Sequence, residues 1–252
     1  MAFIQALKAE RLKMKRTLAL WLAPIAPLVI IGLQLAVVLE RQAYFRTQDA
    51  SDAWVQYGGQ TVFLWTMLML PLFITLETAL LGNLEHSNQQ WKHLFALPIP
   101  RAAVYAAKQV SGMAIIGLSM VAMYVYIVLS GLGLRLIAPD LGFEAPVPWG
   151  EFFEYIALGY LASWLIISIH TWVSLRWHSF VVASAVGIVA MVIAVVLFQS
   201  DWNQWYPWAI PGMVAYGLEE GTDTLPQLLI GILGGVAVAL VGGWDVVRRD
   251  VL

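Results

Sequence analysis

The residues whose type and spacing could support chemistry are few. Four histidines, His86, His93, His170 and His178, are the candidates for metal ligation or proton transfer. His86 and His93 stand seven apart and could share a helix face, but no carboxylate of obvious geometry completes a ligand set. The expectation is no metal site. Glu77 lies within a long apolar run, where a charged side chain costs roughly 2.5–3.5 kcal/mol at the bilayer centre. His170 lies within another such run. Together they form a candidate intramembrane polar site, whose chemistry would be proton or ion transfer. A competing reading stands beside each. Glu77 faces a cavity, or pairs with a base such as Lys108 or Arg176, or it is an interfacial residue opening a surface helix. His170 is a relay group or a hydrogen-bonded packing residue.

Catalytic machinery is otherwise missing from the sequence. It contains no GxxxxGK[ST] phosphate loop, no HExxH and no GxSxG elbow. With no cysteine, a thiol nucleophile, a cysteine metal site and a disulfide scaffold are all excluded. No catalytic residue and no cofactor are expected.

The elements that must position Glu77 and His170 are membrane helices. Hydrophobic residues make up 60% of the chain and charged residues 12%, too few charges to cover that much apolar surface in water. A net charge of −2 gives no basis for bulk electrostatic binding of nucleic acid. A spanning helix needs about 20 mostly apolar residues. Six such runs occur, at 17–39, 61–83, 109–134, 155–175, 179–199 and 226–244. The expectation is an all-α, polytopic membrane protein with a single transmembrane domain over 1–252. The first run is too long for a signal-peptide core, and no small-x-small cleavage site follows it; it reads as an uncleaved span.

Charge sorts by side. With six spans, the only basic residues on one side are Arg41, Arg46 and Arg135; the other eleven of the 14 share the side of both termini. Acids do the reverse: only Glu10, Glu85, Asp245 and Asp250 join the termini, and Glu77 is inside span 2. By the positive-inside rule the termini are cytoplasmic, as in a multi-pass protein of the bacterial inner membrane.

Residues 1–16 read as a basic amphipathic interfacial helix, with Phe3, Ile4, Leu7 and Met14 at helical spacing and Lys8, Arg11 and Lys15 on other faces. Such a helix lies along an anionic inner leaflet; a bare orientation signal is the competing reading. The loop after span 2 predicts a short helix over Glu85–Leu97. Glu85 sits in its first turn, Trp91, Leu94 and Phe95 share a face, and Pro98 and Pro100 stop it before Arg101. It fits either a docking element for a soluble partner or a helix lying on the membrane. The far-side loops 40–60 and 135–154 read as a short polar loop and an extended connector. Trp202, Trp205, Tyr206 and Trp208, with Pro207 and Pro211, suggest a short or re-entrant helix after span 5, or only an aromatic belt. Gly231, Gly235, Ala239 and Gly243 in span 6 allow close helix packing, within a bundle or an oligomer.

Glu77, Glu85, Trp91-Lys92, Leu97-Pro98-Ile99-Pro100-Arg101 and Lys108 together resemble the type-2 ABC exporter permeases, most closely the branch associated with lantibiotic immunity and bacitracin-type resistance. Trp205-Tyr206-Pro207-Trp208, the basic N-terminus, the six spans and the length resemble that branch as well. The resemblance implies a permease without its own ATPase, paired with a second permease chain and driven by cytoplasmic ABC ATPase subunits. It further implies that Glu85–Leu97 is the coupling helix, with Glu85, Trp91, Lys92 and Arg101 carried across. The apolar spans suit an amphipathic or hydrophobic substrate, such as a peptide antibiotic or drug. Two other classes compete: a secondary transporter or channel using Glu77 and His170, and a membrane scaffold or enzyme.

Overall fold

The computed structural model describes residues 2–15, 17–47, 50–87, 99–177 and 179–248, and these hold helices and no strand. The first helices are α1 (Ala2–Met14), α2 (Leu18–Glu40), the single turn α3 (Gln42–Phe45) and α4 (Ala50–Leu64). A π turn, Trp65–Met69, leads into α5 (Leu70–Ser87), followed by α6 (Arg101–Ile137), α7 (Trp149–Ala162) and α8 (Trp164–Arg176). The last are α9 (Phe180–Leu197), α10 (Ile210–Glu219) and α11 (Leu225–Arg248). Among the described residues, six stretches are long and apolar enough to cross a membrane: Leu18–Glu40, Ala53–Leu84, Arg101–Ile137, Trp149–Arg176, Phe180–Leu197 and Leu225–Arg248. These are the six expected spans. The end at which α2 begins and α11 finishes is called the terminal side below.

Three spans depart from their expected limits for local reasons. Span 2 starts earlier, because Trp54 and Tyr57 are fully buried and not part of a polar loop. Its π turn precedes Pro71, which has no N–H for the carbonyl of Met67 and whose ring would crowd that oxygen. Span 3 begins at Arg101, immediately after Pro100, so that the expected lead-in of residues 101–108 is helical. Its 37 residues make roughly 55 Å of helix, well beyond the ~30 Å of the hydrocarbon core. Span 4 is interrupted at Ser163, whose Oγ donates to the Tyr160 carbonyl at 2.6 Å. There α11 crosses α8: a Cβ on Gly231 would lie 2.6 Å from the Ala162 carbonyl oxygen, and one on Gly235 2.8 Å from the Trp164 carbonyl carbon. The small residues of span 6 therefore serve packing inside this chain.

At the end opposite the terminal side, Phe143 inserts between Trp54, Tyr57 and Phe45, and the Trp54 indole donates to the Phe143 carbonyl at 3.2 Å. The chain reaches this position through Gly142 at φ 85, in the left-handed region that favours glycine. The loop after span 3 thus folds onto the bundle, whereas its prolines suggested an extended connector.

On the terminal side α1 packs along α6. Its buried residues are Ala6 and Glu10, while Phe3 and Ile4 are exposed. The face against the protein is thus the one carrying Ala6 and Glu10, and Phe3 and Ile4 of the apolar set lie off it. A small side chain permits the close approach, and an acid anchors it.

Candidate functional site

The terminal-side half of the bundle collects buried polar side chains from three spans: Thr75, Glu77 and Thr78 of α5, Lys108, Gln109 and Ser111 of α6, and Ser168, His170, Thr171 and Ser174 of α8. The threonines return their hydroxyl protons to their own helix, Thr75 to the Pro71 carbonyl and Thr78 to the Ile74 carbonyl, both at 2.8 Å. Gln109 Nε2 donates to Ser168 Oγ at 2.9 Å, joining α6 to α8.

His170 is enclosed. Its Nε2 receives the indole N–H of Trp208 at 3.2 Å and stands 3.3 Å from Thr75 Oγ1. An indole N–H only donates, so the nitrogen that accepts it is the unprotonated one, and Nδ1 carries the proton. Gly187 of α9 completes the enclosure, since a Cβ there would collide with Thr75 and reach within 2.6 Å of the imidazole.

Trp208 comes from the far-side connection after α9. Gly187 lies ten residues before the end of α9, roughly 15 Å along a helix. The chain after Leu197 therefore folds back about half the length of α9. Tyr206 donates to the Ala190 carbonyl at 3.0 Å on the way. The helix that follows, α10, packs on α7, α4 and the π turn, with Ile210, Pro211, Gly212, Val214, Ala215 and Gly217 buried. The re-entrant reading of 200–225 describes this geometry better than an interfacial belt. At its outer end Glu219 is half-buried; burial, and then the charge of Glu220, push its carboxyl above the usual carboxylate range.

Glu77 is fully buried within the continuous helix α5, and neither carboxylate oxygen has a hydrogen-bond partner among the described residues. It therefore lies in mid-helix, and no helix begins at it. Thr75 is the α5 residue that meets His170, and Glu77, two positions on, leaves α5 about 200° around from it. The two candidate polar residues therefore sit in one layer without meeting. Lys108, one of the bases weighed for Glu77, pairs with Glu10 of α1: Nζ to Oε2 is 3.1 Å, with both side chains buried. Lys13 closes on the other oxygen of Glu10 at 3.2 Å.

The predicted coupling helix falls largely outside the described residues. Trp91, Lys92, Leu94 and Phe95 lie there, as does His93. Glu85 and His86 are in the last turn of α5, and Arg101 opens α6 half-buried.

Open on the outside of the chain between α6 and α7 is an apolar groove of about 360 Å³, with Met113, Gly117 and Met120 on one wall and Phe153, Ile156 and Tyr160 on the other. The Tyr160 hydroxyl donates to the Met113 carbonyl at 2.9 Å, and Tyr124 at the rim donates to the Trp149 carbonyl at 3.4 Å. Both phenols spend their protons on backbone.

Compared with known families, residues 6–198 match the model of the ABC-2 family transporter proteins. The chain belongs to this family. A comparison with curated proteins gives no match. As an ABC-2 permease the chain is the membrane component of an ABC transporter, and the family associates with ABC ATPase subunits. The match takes in most of α1, then α2 to α9 with Thr75, His170, Gly187 and the α6–α7 groove, and ends before Trp208 and α10. Sequence reasoning had marked Glu77, His170 and Lys108, but missed Glu10, Thr75, Gln109 and the role of Trp208. Glu10 carried a signal, as the one acid among the five basic residues of 1–16.

Proposed function

We propose that this ABC-2 permease exports an amphipathic or hydrophobic substrate, of the peptide-antibiotic or drug class, from the bacterial inner membrane with its termini in the cytoplasm. The observation that carries this reading is the groove between α6 and α7. It opens on the outside of two spans, its walls are apolar, and its phenol protons are already taken, so it suits an apolar chain arriving sideways from the bilayer. Resemblance adds the lantibiotic-immunity and bacitracin-resistance branch, a second permease chain, and a pair of separate ATPase subunits as partners.

In this reading the segment Glu85–Leu97 is the coupling segment, its first three residues forming the end of α5 and not the first turn of a new helix, with Glu85, Trp91, Lys92, Leu94, Phe95 and Arg101 as its contacts to the ATPase. Closure of the ATPase dimer pushes on that segment. The push passes to α5 and α6, which flank it, and α6 carries one wall of the groove. Two measurements test this. Trp91→Ala with Lys92→Glu is expected to abolish co-purification of the ATPase while the permease still folds; retained assembly with full ATP-driven transport would sink the coupling role. In proteoliposomes, ATP-dependent movement of a fluorescent amphipathic peptide is expected to fall when Gly117→Phe fills the groove. Undiminished transport in that variant would remove the groove from the path.

The reading as a secondary transporter rests on Glu77, whose buried carboxylate lacks a partner among the described residues. Substrate movement without any ATPase, lost in Glu77→Gln, would favour it.

A further inference from the structure

Two of the six spans are interrupted, and the interruptions lie at one level. Span 2 passes from α4 to α5 through the π turn Trp65–Met69 ahead of Pro71. Span 4 passes from α7 to α8 at Ser163, whose ψ of −10 departs from the helical value of about −42°. Thr66 of the π turn meets α7 one turn before Ser163: a Cβ on Gly159 would lie 3.2 Å from the Thr66 methyl group and 3.5 Å from Met120 Cε of α6. The Trp65 indole donates to Met120 Sδ at 3.1 Å. Helix α10 is seated on the same turn, where a Cβ on Gly212 would reach within 2.8 Å of Met67 Sδ. Thioethers thus fill this level, and their unbranched side chains re-pack readily.

The half-spans pair by level. On the far side, Phe152 of α7 lies against Trp54 and Gly58 of α4. On the terminal side, Thr75 of α5 meets His170 of α8, a Cβ on Gly82 would lie 2.7 Å from the Ser174 carbonyl oxygen, and Ala79 packs with Val173. We propose that the two breaks form one hinge, about which α5 and α8 swing as a unit against α4 and α7 during the transport cycle. Breaks at different levels would shear the Thr75–His170 and Gly82–Ser174 contacts, whereas breaks at one level spare them. Trp208 is the latch. Helix α10 packs on α4, α7 and the π turn and so belongs to the far-side unit. Trp208, two residues before it, donates to His170 of the terminal-side unit at 3.2 Å. That bond spans the hinge, and a swing must break it. The hinge requires an ATP-driven cycle, as in an ABC-2 permease, and is indifferent to the substrate.

The chain has no cysteine, so spin labels on introduced cysteines report only the chosen positions. The labelled full chain is combined with its ATPase in proteoliposomes, with and without a non-hydrolysable ATP analogue, and distances are read by electron paramagnetic resonance. Opening the π turn by about 20° moves Asn83, roughly 20 Å along α5 from Leu70, by about 7 Å. Asn83→Cys paired in turn with Glu144→Cys and Glu154→Cys is therefore expected to change at least one distance by about 3 Å or more on adding the analogue. The pair Asn83→Cys with Arg176→Cys, both on the terminal-side unit, is expected to keep its distance. Pro71→Ala restores the N–H that closes the helix and should at least halve the change while the ATPase still associates. Trp208→Phe keeps a ring but donates no bond, and should shift the distances toward the analogue-bound values before any analogue is added. Cross-hinge distances that stay constant in the parent pairs overturn the proposal, and so does an Asn83–Arg176 distance that changes as much as they do. A full change in Pro71→Ala overturns the role of the π turn, and unaltered distances in Trp208→Phe overturn the latch.

Discussion

The two ends of the bundle are closed by different physics. Far from the terminal side, Trp54, Tyr57, Phe143 and Phe152 pack ring against ring, with polar links only at the edges of the rings: the Trp54 bond to the Phe143 carbonyl and the Tyr57–Ser130 hydroxyl pair at 2.6 Å among the described residues. At the terminal side, closure depends on directional pairs: Glu10 with Lys108, Gln109 with Ser168, Trp208 with His170, and Trp172 Nε1 with Asp245 at 2.8 Å. Ring packing is held by area and is indifferent to small rotations. Buried polar pairs tolerate few geometries and are costly when one partner is lost. The far end is thus built as a fixed plug. The terminal end is built from discrete contacts.

Substitutions on each side can break this contrast. The largest effect is expected at the plug: Trp54→Ala removes a fully buried indole and should cost about 3–5 kcal/mol, with Trp54→Phe recovering much of it, by equilibrium unfolding in mixed micelles. A similar loss in both variants would mean that the hydrogen bond, and not the packing, closes the far end. Next comes Glu10→Leu, which removes the carboxylate paired with buried Lys108 and should cost about 3 kcal/mol, whereas Glu10→Leu combined with Lys108→Met should cost clearly less. Additive losses would deny that the pair acts as a unit. Glu77→Gln is expected to change stability by less than about 1 kcal/mol, since the carboxylate has no bond to lose among the described residues. A loss above about 2 kcal/mol would reveal a partner.

The smallest effect concerns Glu219. Its folded carboxyl titrates above its unfolded value, so the folded state holds the proton more tightly. Glu219 therefore destabilises the fold as pH rises through and above the ordinary carboxylate range, and has no such effect below it. Glu219→Gln should raise the melting temperature at pH 8 and leave it unchanged near pH 3. An equal shift at both pH values would point to packing instead of charge.

The parts of this architecture open to sequence reasoning were those governed by summed properties. Six apolar runs, the sorting of Lys and Arg, and Pro98 and Pro100 ahead of α6 needed only composition and local rules. The polar layer was half legible. Glu77 and His170 stood out because an ionisable residue in an apolar run is rare, whereas Thr75 and Gln109 did not, since neither is unusual in a helix. Trp208 was visible as an aromatic near a proline, but its partner lies 38 residues away in sequence, across a fold-back that no periodicity encodes. Trp54 and Tyr57 were assigned to a polar loop because Arg41, Asp49 and Asp52 surround them, and charge in the neighbourhood conceals buried rings.

What the sequence by itself determined is that this chain crosses a membrane six times with its basic residues at one end, because hydrophobic transfer and charge placement act residue by residue. Tertiary structure alone decided which polar groups meet. Lys108 joined Glu10 instead of Glu77, and His170 took Trp208, because those contacts depend on the roll and depth of packed helices. A rotation of about 100° per residue and a fold-back of roughly 15 Å are properties of packed helices, not of their composition.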